Sequence, residues 1–454
     1  MSGGLHQVAW RALRLQVDTM LEKSFTPDAD GNASSTPSAV TKEPTFCAKR
    51  GGQWLTPEDF QAHLACLLRL DNIGVLLGSG ASMGTLGGMT MAELWEHFRT
   101  TYGESATWLQ DSGFMQEGNA PNVEKLADAI EVALLEWQRA KNAGLSKLEE
   151  ARADLLKAVI HAALLKKEWW EDPSKVDVDV PELMHHRALL QKLTAARQPG
   201  QPAPWVFTTN YDLAVEWAAE SINLKIINGF DGLHRRGFSP HNFDLGWRNV
   251  LARGEARFGT YHIYLAKVHG SLSWHREGDG TVVELPTLAR WPVFKELFQG
   301  DTSKAAGLLV LPSAAKYMQT VGFVLGELFR RLAEFLARSQ TAIITNGYSF
   351  SDDHLNRLLI TALQNPTLQL VMYLPEARRD GDSLDLSVCS EWARRVLSLK
   401  SPQVTVVGGG ADAYFCAMAR QLPEPVVYDE QSARIRTIMK ELRTTTDSDR
   451  QGRA

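Results

Sequence analysis

Cysteine is scarce in this chain of 454 residues, and Cys47, Cys66, Cys389 and Cys416 form no C-x-x-C pair. That tells against a zinc ribbon and against a disulfide framework; the thiols read as reduced and buried, and no metal is expected. Long apolar runs are missing as well. No stretch approaches the roughly 20 residues needed to cross a bilayer, and the N-terminus lacks the apolar core and cleavage site of a signal peptide. The expectation is a cytoplasmic protein without a membrane segment. A basic surplus is missing too: 48 Lys and Arg stand against 53 Asp and Glu, a formal charge of -5, which offers no global attraction to nucleic acid. No internal repeat is present.

What is present is the composition of a folded protein, with 44% hydrophobic and 22% charged residues, and the length suggests about two to three structural units. Residues 1–25 place Trp10, Leu13, Val17, Met20 and Leu21 on one helical face, an arm for packing or oligomerisation. Residues 26–55 are mostly Pro, Ser, Thr, Asp and Gly, and read as a flexible linker. Residues 56–120 and 200–425 form the expected catalytic domain. Residues 121–199 show helical periodicity with no strand signal, a helical insertion. Residues 426–454 read as a C-terminal helix and polar tail.

Strand signals are short and continuously apolar: Ile73–Leu77, Trp205–Thr209, Ile263–Lys267, Leu308–Leu311, Ala342–Thr345, Leu368–Tyr373 and Val404–Val407. Such runs belong to strands buried on both faces, and helical patterns separate several of them. The fold class expected is therefore α/β, a doubly wound, mostly parallel, Rossmann-like sheet.

Polar motifs follow these strands, at the edge where open α/β sheets bind ligands. Gly78, Ser79, Gly80, Ala81 and Ser82 form a glycine loop that can cradle a pyrophosphate, aided by the helix starting near Thr90; a tight turn with no ligand reads the same way. Met83 stands where a full G-x-G-x-x-G would carry its last glycine. Thr208, Thr209, Asn210, Tyr211 and Asp212 come next. Asn210 can orient a water or hold a ribose hydroxyl, and Asp212 can serve the site or cap the following helix. His269, after the third strand and beside Gly270, suits general-base work or is an ordinary strand-end histidine. Two further loops, Asn346–Asp352 and Gly408–Asp412, bring Gly347, Ser349 and Gly409 to the same edge. Helix capping by Ser351 or Asp352 and a tight glycine turn are their structural alternatives.

Taken in order, GSGAS, TTNYD, KVHGS with Trp274, and NGYSFSDDHLN resemble the sirtuin superfamily, particularly the sirtuin-like NADases of bacterial antiphage defence. The resemblance runs from about Asn72 to Ala413. It implies a catalytic role for Asn210, Asp212 and His269. The residues it implies against NAD+ are Gly78, Ser79, Gly80, Ala81, Ser82, Thr209, Tyr211, Gly347, Ser349 and Gly409. Protein-deacylating sirtuins usually carry a four-cysteine zinc module and a Pro-Asp-Phe-Arg segment after the glycine loop. Here Met83–Thr90 reads MGTLGGMT and the cysteines lack metal spacing, so water is the expected acceptor.

The function implied is NAD+ hydrolysis to nicotinamide and ADP-ribose, as an abortive-infection effector that forms a homo-oligomer and pairs with a HerA-type hexameric ATPase. The alternatives are a non-catalytic NAD+ or ADP-ribose sensor and a protein deacylase.

Overall fold

A computed structural model describes residues 46–115, 123–177, 179–197, 201–233, 235–247, 261–305 and 321–424. The N-terminal arm, most of the linker, the tail beyond residue 424 and the expected strand at Leu308–Leu311 lie outside the described residues.

In chain order the strands are β1 (Cys47–Arg50), β2 (Gln53–Leu55), β3 (Asn72–Leu77), β4 (Trp205–Thr208), β5 (Lys225–Ile227), β6 (Phe230–Asp231), β7 (Arg236–Phe238), β8 (His262–Lys267), β9 (Trp274–Arg276), β10 (Val282–Glu284), β11 (Thr341–Asn346), β12 (Gln369–Tyr373), β13 (Arg378–Asp380), β14 (Ser383–Asp385) and β15 (Val404–Gly408). Among the described residues nine of them form one sheet in the order β2-β1-β15-β12-β11-β3-β4-β8-β5. Every pairing from β15 to β5 is parallel, and β1 joins β15 antiparallel. The chain builds outward from β3 to β4 and β8, then returns to lay β11 on the other side of β3. That reversal is a topological switch point, and the crevice beyond its carboxyl ends is where open sheets take ligands.

The continuous apolar strands are explained by burial on both faces. In β4, Val206 enters one core cluster while Trp205 and Phe207 enter the other; in β12, Val371 and Tyr373 oppose Leu370 and Met372. Side chains alternate across a strand, so only a strand covered on both sides is apolar throughout.

The helices are α1 (Pro57–Leu67), α2 (Met91–Thr101), α3 (Gly103–Asp111), α4 (Val123–Ala140), α5 (Leu145–Leu164), α6 (Lys167–Glu171), α7 (Met184–Ala195), α8 (Ala214–Ser221), α9 (Thr287–Phe298), α10 (Val321–Ala337), α11 (Asp353–Ala362), α12 (Glu391–Ser398) and α13 (Phe415–Gln421). Helix α1 starts where Thr56 accepts from the Asp59 N–H, with Pro57 in the first turn and acids at Glu58 and Asp59 to suit the helix dipole. Helices α2 and α3 pack on α5 together with α4, so the helical layer begins near residue 91 rather than at 121.

Residues 46–55, expected to be the end of a flexible linker, are instead the strands β1 and β2. Their sequence, FCAKRGGQWL, carries no period-2 signal. What orders them is pairing along the free edge of β15 and the turn at Gly51, whose φ of +55° suits glycine. Trp54 adds to this, with the Lys49 ammonium and the Arg379 guanidinium each 4.5 Å from its ring centre. A second sheet, β6-β7-β10-β9, and the β13–β14 hairpin also had no sequence signal, because strands of two or three residues are too short for periodicity to register.

Candidate active site

Four loops leave the carboxyl edge of β3, β4, β8 and β11, and they converge on a cleft of about 960 Å³. Gly78, Ser79, Ser82, Thr209, Asn210, Tyr211, Asp212, His269, Gly347 and Ser349 line it, joined by Tyr348, Ser351 and Asp352. The facing wall is apolar and comes from the helical layer, with Met91 and Leu94 of α2, Val123 of α4, and Val159, Ala162 and Ala163 of α5. The helical insertion, expected as an assembly surface or as ordinary packing, is thus part of the cleft itself.

Gly80, Ala81 and Gly409 do not reach the cleft. The loop from Gly78 to Ser82 is locked against the loop at Gly347: the Gly78 N–H donates to Asn346 O at 3.0 Å and the Gly80 N–H to Gly347 O at 3.1 Å. A Cβ on Gly78 would lie 2.3 Å from Gly347 O, and one on Gly347, whose φ is +65°, 2.4 Å from Ala81 N. The Ala81 N–H in turn donates to Gly78 O at 2.9 Å. These three N–H groups are therefore engaged within the protein, and of this loop only Gly78, Ser79 and Ser82 face the cleft. At the N-terminus of α2, Thr90 and Glu93 form a reciprocal capping box that takes up two of its N–H groups. Gly409 has φ +99° and donates its N–H to Ala377 O at 2.9 Å, serving the turn after β15.

On the floor a chain of hydrogen bonds joins two of the loops. Asn210 Nδ2 donates to Ser82 Oγ at 3.0 Å, and Ser82 Oγ donates to Asp212 Oδ2 at 2.7 Å. The other carboxylate oxygen of Asp212 accepts from the Ala214 N–H at 3.0 Å at the start of α8. Asp212 therefore both takes up the first N–H of α8 and faces the cleft. Asn210 is anchored at its backbone, its N–H donating to Thr208 Oγ1 at 3.0 Å. Its Oδ1 is buried and, among the described residues, has no hydrogen-bond partner. A buried acceptor left so costs free energy until something donates to it, as a ribose hydroxyl or a water does.

Beneath this floor the buried Lys267 of β8 donates to the carbonyl of Asp212 and, at 2.9 Å, to Glu216 of α8. Burial pushes the Glu216 carboxyl up from its ordinary range, and the adjacent ammonium opposes that. Lys267 thus ties the Asn210 loop to the strand that leads to His269.

His269 sits in the turn two residues after β8 and is 5% exposed. Its Nε2 lies 2.7 Å from Oδ2 of Asp352. Asp352 precedes α11 and caps it, Oδ1 accepting from the N–H groups of His354 at 2.7 Å and Leu355 at 3.0 Å. Burial raises its carboxyl, but the hydrogen bond and charge of His269 and the two helix N–H groups outweigh this, holding it below the ordinary carboxylate range. In the sequence Asp352 ends a loop that can face a nucleotide or cap the following helix; its distance to His269, 83 residues away, is a product of the fold. Within the same loop Phe350 adopts φ +56°, and its carbonyl accepts from Asn356 Nδ2 at 2.9 Å.

Among the described residues no cluster of three or more His, Cys, Asp or Glu has a metal-holding arrangement, and no helix is long and apolar enough to cross a membrane. No curated protein matches the chain. Residues 204–394 match the SIR2-like domain family. That stretch holds Asn210, Asp212, His269 and Asp352, while the glycine loop lies outside it and is brought to it by the β3–β4 and β3–β11 pairings. Domains of this family are NAD-dependent enzymes in general; the match takes in less than half of this chain, and the matched stretch contributes to a mostly parallel α/β sheet.

Proposed function

We propose that this protein hydrolyses NAD+ to nicotinamide and ADP-ribose in the cleft between the β3, β4, β8 and β11 loops. The observation that carries the reading is the buried Oδ1 of Asn210, without a hydrogen-bond partner among the described residues, in the same cleft as His269. A site that only held a nucleotide would have no need of a base beside that acceptor.

In the reaction the bond from ribose C1′ to the nicotinamide nitrogen breaks, and its electron pair leaves with nicotinamide. Positive charge develops on C1′ and the ring oxygen, water adds to C1′, and the added water loses a proton. Asn210 has the acceptor to hold that water or a ribose hydroxyl, and its amide is oriented by Ser82. Asp212, fixed by Ser82 and the Ala214 N–H, supplies negative charge where the oxocarbenium forms. His269 relays a proton from a ribose hydroxyl. The apolar wall from α2, α4 and α5 limits water around the reacting carbon.

An unrestrained NADase would drain its own cell. We therefore propose that assembly gates it, as a homo-oligomer with a HerA-type hexameric ATPase as partner, acting in abortive infection in the cytoplasm. This part of the reading rests on the motif resemblance.

The test is release of nicotinamide and ADP-ribose from NAD+ by the purified protein, alone and with such an ATPase. Turnover that His269→Ala and Asn210→Ala each lower by about 10²-fold or more is expected. NAD+ binding without turnover under either condition would make this a sensor, and nicotinamide release that requires an acyl-lysine peptide would make it a deacylase.

A further inference from the structure

We propose that Asp352 is a positioning residue that fixes the tautomer of His269, and that its second role as the cap of α11 dictates which atom it shows to the imidazole. The inference rests on the reading of the cleft as an NAD+-cleaving site.

The side chain of Asp352 is divided between two tasks. Oδ1 receives both helix N–H groups, from His354 and Leu355, and Oδ2 faces Nε2 of His269 at 2.7 Å. An ionised carboxylate has only acceptors to offer, so the proton at this contact resides on Nε2. In the neutral imidazole the basic nitrogen is then Nδ1. When Nδ1 takes a proton, the carboxylate stabilises the imidazolium that results. It does not take the proton itself, because the amino end of a ten-residue helix holds it ionised. The histidine is thus oriented by a residue fixed to rigid secondary structure rather than by a free loop.

This division of labour makes an asymmetric prediction. Asp352→Asn preserves shape, and asparagine caps helices as well as aspartate does. Its single oxygen must keep accepting from the His354 and Leu355 N–H groups, which turns Nδ2, a donor, toward His269. Nε2 is then forced to accept, the proton moves to Nδ1, and the base is lost. Asp352→Ala removes the cap and the partner together and leaves the imidazole free to adopt either tautomer.

The expected result is that Asp352→Asn keeps the wild-type melting temperature and NAD+ affinity while kcat falls on the order of 10³- to 10⁴-fold. Asp352→Ala melts lower yet retains more kcat than Asp352→Asn. A residue that merely caps a helix gives the opposite order, with Asp352→Asn near wild type and Asp352→Ala the weaker enzyme; that order overturns the proposal. Nitrogen-15 NMR of histidine-labelled protein, with the His269 signal assigned by its loss in His269→Gln, reads the tautomer directly. The proton should sit on Nε2 in the wild type and on Nδ1 in Asp352→Asn, and the same tautomer in both would sink the idea. This second readout needs no turnover, so it separates failure of the tautomer inference from failure of the hydrolase reading.

Discussion

At the scale of single residues, the site depends on how closely two backbones approach. Gly78, Gly80 and Gly347 let the β3 and β11 loops touch through N–H to carbonyl bonds, and each would have to retreat to admit a Cβ. Gly347→Ala meets two penalties, the left-handed φ of +65° and a Cβ against backbone that cannot rotate away. Together these destabilise by about 2 kcal/mol or more. Because the two loops carry Ser82 and Asp352, NAD+ affinity should weaken along with the melting temperature. Calorimetry of folding and of NAD+ binding on the same preparation checks both, and wild-type values for either would show that the loops tolerate separation. The glycines were legible as a motif. As a motif the loop reads equally as a phosphate cradle or as a tight turn, and the fold engages three of its N–H groups inside the protein.

At the scale of elements, α8 and β8 are joined by the buried Lys267–Glu216 pair, 3% and 15% exposed at their side chains. The ammonium also holds the carbonyl of Asp212. Removing one member leaves the other charge buried and uncompensated, a loss of about 3–5 kcal/mol, whereas replacing both by apolar groups of similar size is often neutral. Lys267→Met should therefore melt well below wild type, and the double variant Lys267→Met with Glu216→Leu should recover most of the stability. Turnover should not recover with it, because the Asp212 carbonyl has lost its donor. Denaturant unfolding beside kcat checks this; a double variant as active as the wild type would show that Lys267 has no part in placing Asp212. KVHGS marked this strand end in the sequence, but the partner at Glu216 and the lysine's hold on the next loop follow from the β4–β8 register, in which Thr208 pairs with Lys267.

At the scale of the molecule, acid should loosen the fold through His186, buried without charge, and the half-buried His63. Burial lowers His186 to about 3 and His63 to about 4, against about 6.5 in an unfolded chain. Between these values the unfolded state binds a proton that the folded state refuses. Stability is therefore full above about pH 6.5 and falls as pH drops, with His63 ceasing to contribute below about 4 and His186 below about 3. The slope is at most about 1.4 kcal/mol per pH unit for each. Urea midpoints at pH 7.5 and 5.0 should differ accordingly, and His186→Leu should flatten the difference; an unchanged slope would mean that His186 is not the group responsible.

The sequence by itself determined the α/β class, because only strands buried on both faces are apolar throughout, and it determined which loops carry the polar groups, because those loops follow such strands. It also marked Asn210, Asp212 and His269 through residue type and order. Tertiary structure alone decided the rest. Edge pairing to β15 made strands of a segment without strand periodicity, since hydrogen bonding to a neighbour leaves no mark on composition. The helical layer became a wall of the cleft, since an apolar stripe does not name what it faces. Asp352 became the partner of His269, since a 2.7 Å contact between residues 83 positions apart exists only once β8 and β11 share a sheet.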